Sequence, residues 1–222
     1  MSTIVKILRR DITRAGRSGG SWAYGLVFMA IFLSLSAIAL DGEMNALRRL
    51  GVPLIWLAVT FASLMSVDRV FADDLTDGTT GQLWLSGVSF MSQASAGIVS
   101  FGLIYLLPLI FTAPLWSLLF DLNAATITGL VIALLFAAPG LAAYTALAGA
   151  LTGARGKGGF LAFFISAPLL VPLLIIGVAA SKAYVIHGWA AVEFRALIGF
   201  SLLALALSIP ASAAALAANT DR

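Results

Sequence analysis

Apolar positions in this chain come in long unbroken runs separated by short polar gaps. The runs fall at about 21–40, 52–67, 95–119, 125–150, 160–181 and 196–217. A helix of about 20 apolar residues crosses a bilayer core, so the pattern predicts six membrane spans. The gaps are equally regular. Residues 41–51 form a short loop carrying Arg48 and Arg49, and Asp121-Leu122-Asn123 forms a tight turn. Residues 153–159 are glycine-rich and basic, with Arg155 and Lys157, and 182–195 forms another loop. The longest polar interval is 68–93.

A different period governs the first 17 residues. Ile4, Ile7, Leu8 and Ile12 recur at helical spacing, and Lys6, Arg9, Arg10, Arg14 and Arg17 cover much of the remaining surface. This predicts an amphipathic helix lying on an anionic membrane leaflet. A secretory signal would also join a basic start to an apolar run, with Ala37-Ile38-Ala39 as a cleavage site. The basic segment is too long and too amphipathic for one, and the run behind it has span length. The expected organisation is an interfacial helix over 1–20 and one six-helix transmembrane domain over 21–222, with a coupling loop at 68–93.

Composition agrees with an all-α membrane protein. The chain is 61% hydrophobic and only 10% charged, with mean hydropathy +1.04. A β-barrel would alternate polar and apolar positions, which these runs do not. Placing the N-terminus inside puts nine basic residues in cytoplasmic segments and four outside. The positive-inside rule then predicts both termini in the cytoplasm, together with 68–93 and the Arg155/Lys157 loop. Trp22, Trp56 and Trp189 are expected at span ends, where indole rings favour the interface. The net charge of +3 is too scattered to suggest nucleic acid.

Much chemistry is missing. No cysteine is present, which removes disulfides, thiolate nucleophiles and thiolate-held metals. The only Gly-Lys pair, Gly156-Lys157, is followed by Gly158 and has Leu151 where a phosphate loop requires glycine. Any ATP must therefore bind elsewhere. Titratable residues are absent from the middles of the spans, which disfavours a proton-coupled carrier, and the two halves show no inverted repeat. One histidine, His187, rules out a multi-histidine zinc site. It reads as a loop histidine rather than a haem ligand. Pro108, Pro114, Pro139, Pro168 and Pro172 interrupt spans, as transmembrane helices tolerate.

What remains is the stretch from Asp68 to Gly78, which holds four of the ten acidic residues. Phe71 and Leu75 share a helical face, while Asp73, Asp74 and Asp77 crowd a solvated one, with Arg69 four residues before Asp73. Gly78 can end this helix, and Thr79-Thr80 can start a second through Gln82, Leu83 and Trp84. Short helices with apolar anchors and an acidic face suit a docking surface for a cytosolic partner. Phe71, Leu75 and Leu83 are expected as anchors, and the three aspartates as the face that meets it.

The run from Asp68 to Gly78, followed by Gln82-Leu83, resembles the cytoplasmic loop of CcmB-type haem exporter permeases of bacterial cytochrome c maturation. Pro53-Leu54-Ile55-Trp56-Leu57-Ala58 is similar to that family's second span. Gly158-Gly159 and the run from Pro168 to Ile175 are similar to its fifth. Departures are Asp68 for a frequent Glu, Ala72 for a basic residue, Gly81 for a larger polar one, and Lys157 for Arg.

The resemblance implies an ABC-2-like permease architecture in the bacterial inner membrane. It implies a membrane subunit with no cofactor of its own, paired with a second copy of itself and with CcmA-type subunits that bind ATP and magnesium. CcmC-type and CcmD-type membrane proteins, and indirectly a CcmE-type haem chaperone, are the other implied partners, besides membrane lipid. Haem is the candidate substrate, and either its export or release of the loaded chaperone fits. The alternatives are a permease for another lipid-like substrate and a secondary carrier. Asp68, Arg69, Phe71, Asp73, Asp74, Leu75, Asp77, Gly78 and Leu83 are the expected coupling residues.

Overall fold

A computed structural model describes residues 3–17, 20, 23–67, 70–152 and 158–220, and among these every regular element is helical. Helix α1 (Thr3–Arg17) precedes α2 (Tyr24–Ala39) and α3 (Met44–Met65). Two short helices follow, α4 (Ala72–Thr76) and α5 (Thr79–Leu85). Then come α6 (Phe90–Phe101), a π-helical turn (Gly102–Leu106), α7 (Leu107–Leu119), α8 (Ala124–Thr152), α9 (Gly158–His187) and α10 (Val192–Thr220).

Among the described residues five stretches are long and apolar enough to cross a membrane: Met44–Met65, Phe90–Leu119, Ala124–Thr152, Ala167–Ala190 and Val192–Thr220. Helix α2, with 16 residues, is shorter. Its length of about 24 Å compares with about 30 Å of hydrocarbon. It runs antiparallel to α3, with Gly25 beside Ala62.

Three expected boundaries move. Arg48 and Arg49 lie inside α3 rather than in a loop, because nothing after Glu43 breaks the helix and Arg48 pairs with Asp121 across the turn. The third span starts at Phe90, where Ser89 caps the helix by accepting from Ser92 N–H at 3.3 Å. Between the last two spans only 188–191 leaves α-helix, at Gly188 with φ +53°. His187 is the exposed last residue of α9.

Lipid tails are as apolar as leucine, so helix association in a bilayer depends on close packing by small residues. Helix α8 is built for this. Its buried surface includes Ala133, Ala137, Gly140, Ala142, Ala143 and Ala146. A Cβ on Gly129 would lie 2.7 Å from the Ser181 carbonyl oxygen of α9, and one on Gly140 would lie 3.0 Å from Ser201 Cα of α10. Beside Pro139 the Gly140 N–H donates to Ser201 Oγ at 2.8 Å. Further along, Asn219 Nδ2 donates to the Ala150 carbonyl at 2.9 Å. These pairs set α8 and α10 parallel.

Trp56 departs from its expected interfacial place. It is fully buried against Gly177 of α9, and its indole N–H donates to Ser181 Oγ at 2.9 Å. A satisfied N–H lets the ring pack inside rather than seek the interface. Trp189, by contrast, is exposed between α9 and α10. Trp22 lies outside the described residues.

Candidate functional site

One end of the bundle gathers α1, the α4–α5 pair, the start of α6 and the last turns of α8 and α10. The chain leaves α3 through Val67, whose carbonyl oxygen would lie 2.8 Å from a Cβ on Gly149 of α8. Leu75 N–H donates to the Phe71 carbonyl at 2.9 Å, closing the first turn of α4. Gly78, in the left-handed conformation at φ +71°, separates α4 from α5. Thr80 Oγ1 then donates to the Asp74 carbonyl at 3.2 Å. Buried Gln93 donates from Nε2 to the carbonyls of Thr80 (3.3 Å) and Val88 (3.1 Å). It thus ties α5 to α6.

Phe71 points inward, 5% exposed, over Gly97 of α6. A Cβ at Gly97 would fall within the Phe71 ring, so glycine is required for the close approach. Leu75 packs on the same core, and Leu83 is half-buried. Phe71 and Leu75 therefore hold the pair to its own bundle. Gly97→Val should expel Phe71 and lower thermal stability by about 1–3 kcal/mol, an overpacking cost. Faster proteolysis within 68–89 would report it, and unchanged cleavage would refute the wedge.

The three aspartates separate. Asp73 and Asp77 are exposed, but Asp74 turns toward α1. Its Oδ2 accepts from Arg10 Nη2 at 2.5 Å and its Oδ1 from Arg14 Nη1 at 2.6 Å. Arg10 also donates to Asp11 from Nε (2.9 Å) and Nη2 (2.8 Å). Asp11 Oδ2 accepts from Ser100 of α6 at 2.7 Å. With Ile7 buried beneath, α1 is clasped to both α4 and α6. Burial opposes the Arg10 charge, but Asp74 and Asp11 outweigh it and hold the guanidinium above its ordinary pKa.

Lys6 and Arg9 are exposed on the other side of α1. Asp68, Arg69, Arg155 and Lys157 lie outside the described residues, and Arg17 is the last residue of α1. Asp11, Ser100 and Gln93 are structural partners that sequence reasoning missed. Asp11 carried a signal, as the one acidic residue in the basic helix.

The outward surface of the pair carries Asp73, Asp77, Gln82, Trp84 and Leu85. Leu85 is 81% exposed, and Trp84 is 54% exposed while stacked on Phe90 at 6.0 Å. Large apolar groups held in fixed positions beside carboxylates can bind a protein surface. Among the described residues no cluster of His, Cys, Asp or Glu could hold a metal. None of their Asp, Glu, Lys, Arg or His side chains is buried.

The sequence matches the family described as CcmB protein over residues 2–219. It is 31% identical to "Heme exporter protein B" of Bradyrhizobium diazoefficiens over 222 residues, covering 100% of both chains. It is 30% identical to the protein of that name from Rhodobacter capsulatus over 213 residues, 96% of this chain and 98% of the relative. The Escherichia coli K12 protein is 31% identical over 182 residues, 82% of this chain and 83% of the relative. This helical membrane protein belongs to the CcmB family.

Proposed function

We propose that this chain is the membrane subunit of an ABC-type haem exporter and that the outer surface of α4–α5 docks a separate ATP-binding subunit. Relatives that match it end to end bear the name "Heme exporter protein B". The observation that carries the docking claim is the division within the loop. Phe71 and Leu75 are anchored inside, while Asp73, Asp77, Trp84 and Leu85 stand outside. A partner's motion is transmitted only through a piece rigidly fixed to the moving body.

In this reading both termini and α4–α5 face the cytoplasm of a bacterial inner-membrane protein, as the basic residues favour. A CcmA-type subunit supplies ATP and magnesium, and a second copy of this chain completes the permease. CcmC-type and CcmD-type proteins and a CcmE-type chaperone complete the haem pathway. ATP hydrolysis drives either passage of haem or release of the loaded chaperone. Following haem on the chaperone with and without hydrolysis separates the two. Export requires that loading fail without ATP, and release requires that loading occur but dissociation fail.

Docking is tested with the exposed groups alone. Asp73→Lys combined with Trp84→Ala leaves the buried anchors intact. Copurification of the ATP-binding subunit should fall by at least about tenfold, as loss of interface hot spots requires. Unchanged copurification would sink the assignment of this surface.

A further inference from the structure

A cleft runs between α1 and the π-turn, and its two ends differ in chemistry. The inner end, about 110 Å³, is walled by charged side chains of α1 and α4 and by Ser100. The outer end, about 280 Å³, is apolar, walled by Ile12, Leu103 and Pro108. Ala15 and Ile104 line both, so the two ends adjoin. Together they reach the lower part of the usual range for ligand pockets, roughly 300–1,000 Å³. The outer end opens where Gly102–Leu106 widens into a π-turn before Pro108, which lacks an N–H to continue the α-helical ladder.

The charges select the occupant. Three carboxylates (Asp11, Asp73, Asp74) face two guanidiniums (Arg10, Arg14). Arg10 is committed to Asp11 and Asp74, whereas Arg14 is half exposed and uses one nitrogen on Asp74. Its other donors are available to a phosphate. Asp73 is exposed, lines the cleft, and makes no ion pair among the described residues. An anionic headgroup would meet excess negative charge, and a purely cationic one would meet Arg14. A headgroup with both charges satisfies both, with its ammonium at Asp73 and its phosphate at Arg14.

We propose that this cleft binds one zwitterionic phospholipid, its phosphate and ammonium between Arg14 and Asp73 and an acyl chain along Ile12, Leu103 and Pro108. The lipid would fill the gap beneath α1 and make the helix part of the surrounding bilayer. The site shares Asp73 with the outward surface of α4–α5, but its test is read on the chain alone and requires nothing about a docked subunit or the transported molecule.

The test uses the full chain in nanodiscs of equimolar phosphatidylethanolamine and phosphatidylglycerol, with retained lipid read by native mass spectrometry. Phosphatidylethanolamine should be retained about fivefold over phosphatidylglycerol, the scale of one charge at a membrane surface. Asp73→Asn, at an exposed position that does not threaten folding, should abolish the preference. Ile104→Trp should reduce retention of both lipids by filling the junction. Equal retention of the two lipids by the unaltered chain would overturn the proposal, as would a preference that survives Asp73→Asn. Displacement by soluble glycerophosphoethanolamine at the same concentration would also overturn it, since the apolar half of the cleft would then contribute nothing.

Discussion

Reversing Asp74 to Arg is expected to detach α1 from the bundle end while leaving the spans in place. Asp74 is the only acceptor shared by Arg10 and Arg14 among the described ion pairs, and its side chain is 15% exposed. Surface ion pairs contribute little, with a median of about 0–1 kcal/mol. This one differs because two guanidiniums converge on one sheltered carboxylate, and Arg10 is itself only 28% exposed. Removing the acceptor leaves a half-sheltered cation without a partner and adds like-charge repulsion. Breaking a fully buried pair costs about 3–5 kcal/mol. Discounted for exposure, roughly 2 kcal/mol is expected here, enough to populate a detached helix.

The native chain has no cysteine, so spin labels can be placed without background sites. Labels at exposed Arg9 and Asp77 should give a narrow distance distribution in the native chain and a broad one in Asp74→Arg. The charge-swapped variant, Asp74→Arg with Arg10→Asp and Arg14→Asp, should recover the narrow distribution. An unchanged distribution in the single variant would show that Ile7 and Asp11–Ser100 hold the helix alone. If α4–α5 docks an ATPase, the same variant should also lower its coupling, because α1 braces α4 from behind.

The pattern of apolar runs was enough to place the long helices, because a bilayer demands about 20 apolar residues in succession whatever the neighbours. Gly78 was legible as a break for a local reason: a left-handed residue between two short helices favours glycine. The partners were not legible. Arg10 and Asp74 are 64 positions apart, and Ser100 and Asp11 are 89 apart. Amphipathic spacing shows that one face of α1 is apolar, but not which acid its arginines will meet. Asp73, Asp74 and Asp77 read as one acidic face, yet a five-residue helix turns Asp74 inward and the other two outward. Trp56 failed for a related reason. Lipid and protein interior are equally apolar, so hydropathy does not say which of them an indole faces.

That indole is the site of the second large effect. Gly177→Ala is expected to destabilise the α3–α9 contact by about 3 kcal/mol, the upper end of ordinary overpacking. A Cβ at this position would fall within the six-membered ring of Trp56, and Trp56 has no exposed side to move toward. The ring is fixed at its other edge as well, since its N–H donates to Ser181 Oγ, which in turn donates to the Gly177 carbonyl at 2.8 Å. Displacing the ring therefore breaks a bond as well as a packing contact.

Trp56→Phe alone should cost less than the glycine change, because Ser181 keeps its bond to the Gly177 carbonyl and only the indole's share of the cavity is vacated. The double variant decides the matter. With phenylalanine at 56 there is room for the alanine methyl, so Gly177→Ala and Trp56→Phe together should be more stable than the sum of their separate costs predicts. The coupling should be about 1–2 kcal/mol, as for residues in direct contact. Denaturant unfolding of the four proteins in micelles measures it. Strict additivity would mean that Trp56 does not seat on Gly177, and the close approach of α3 to α9 would have to rest on other residues.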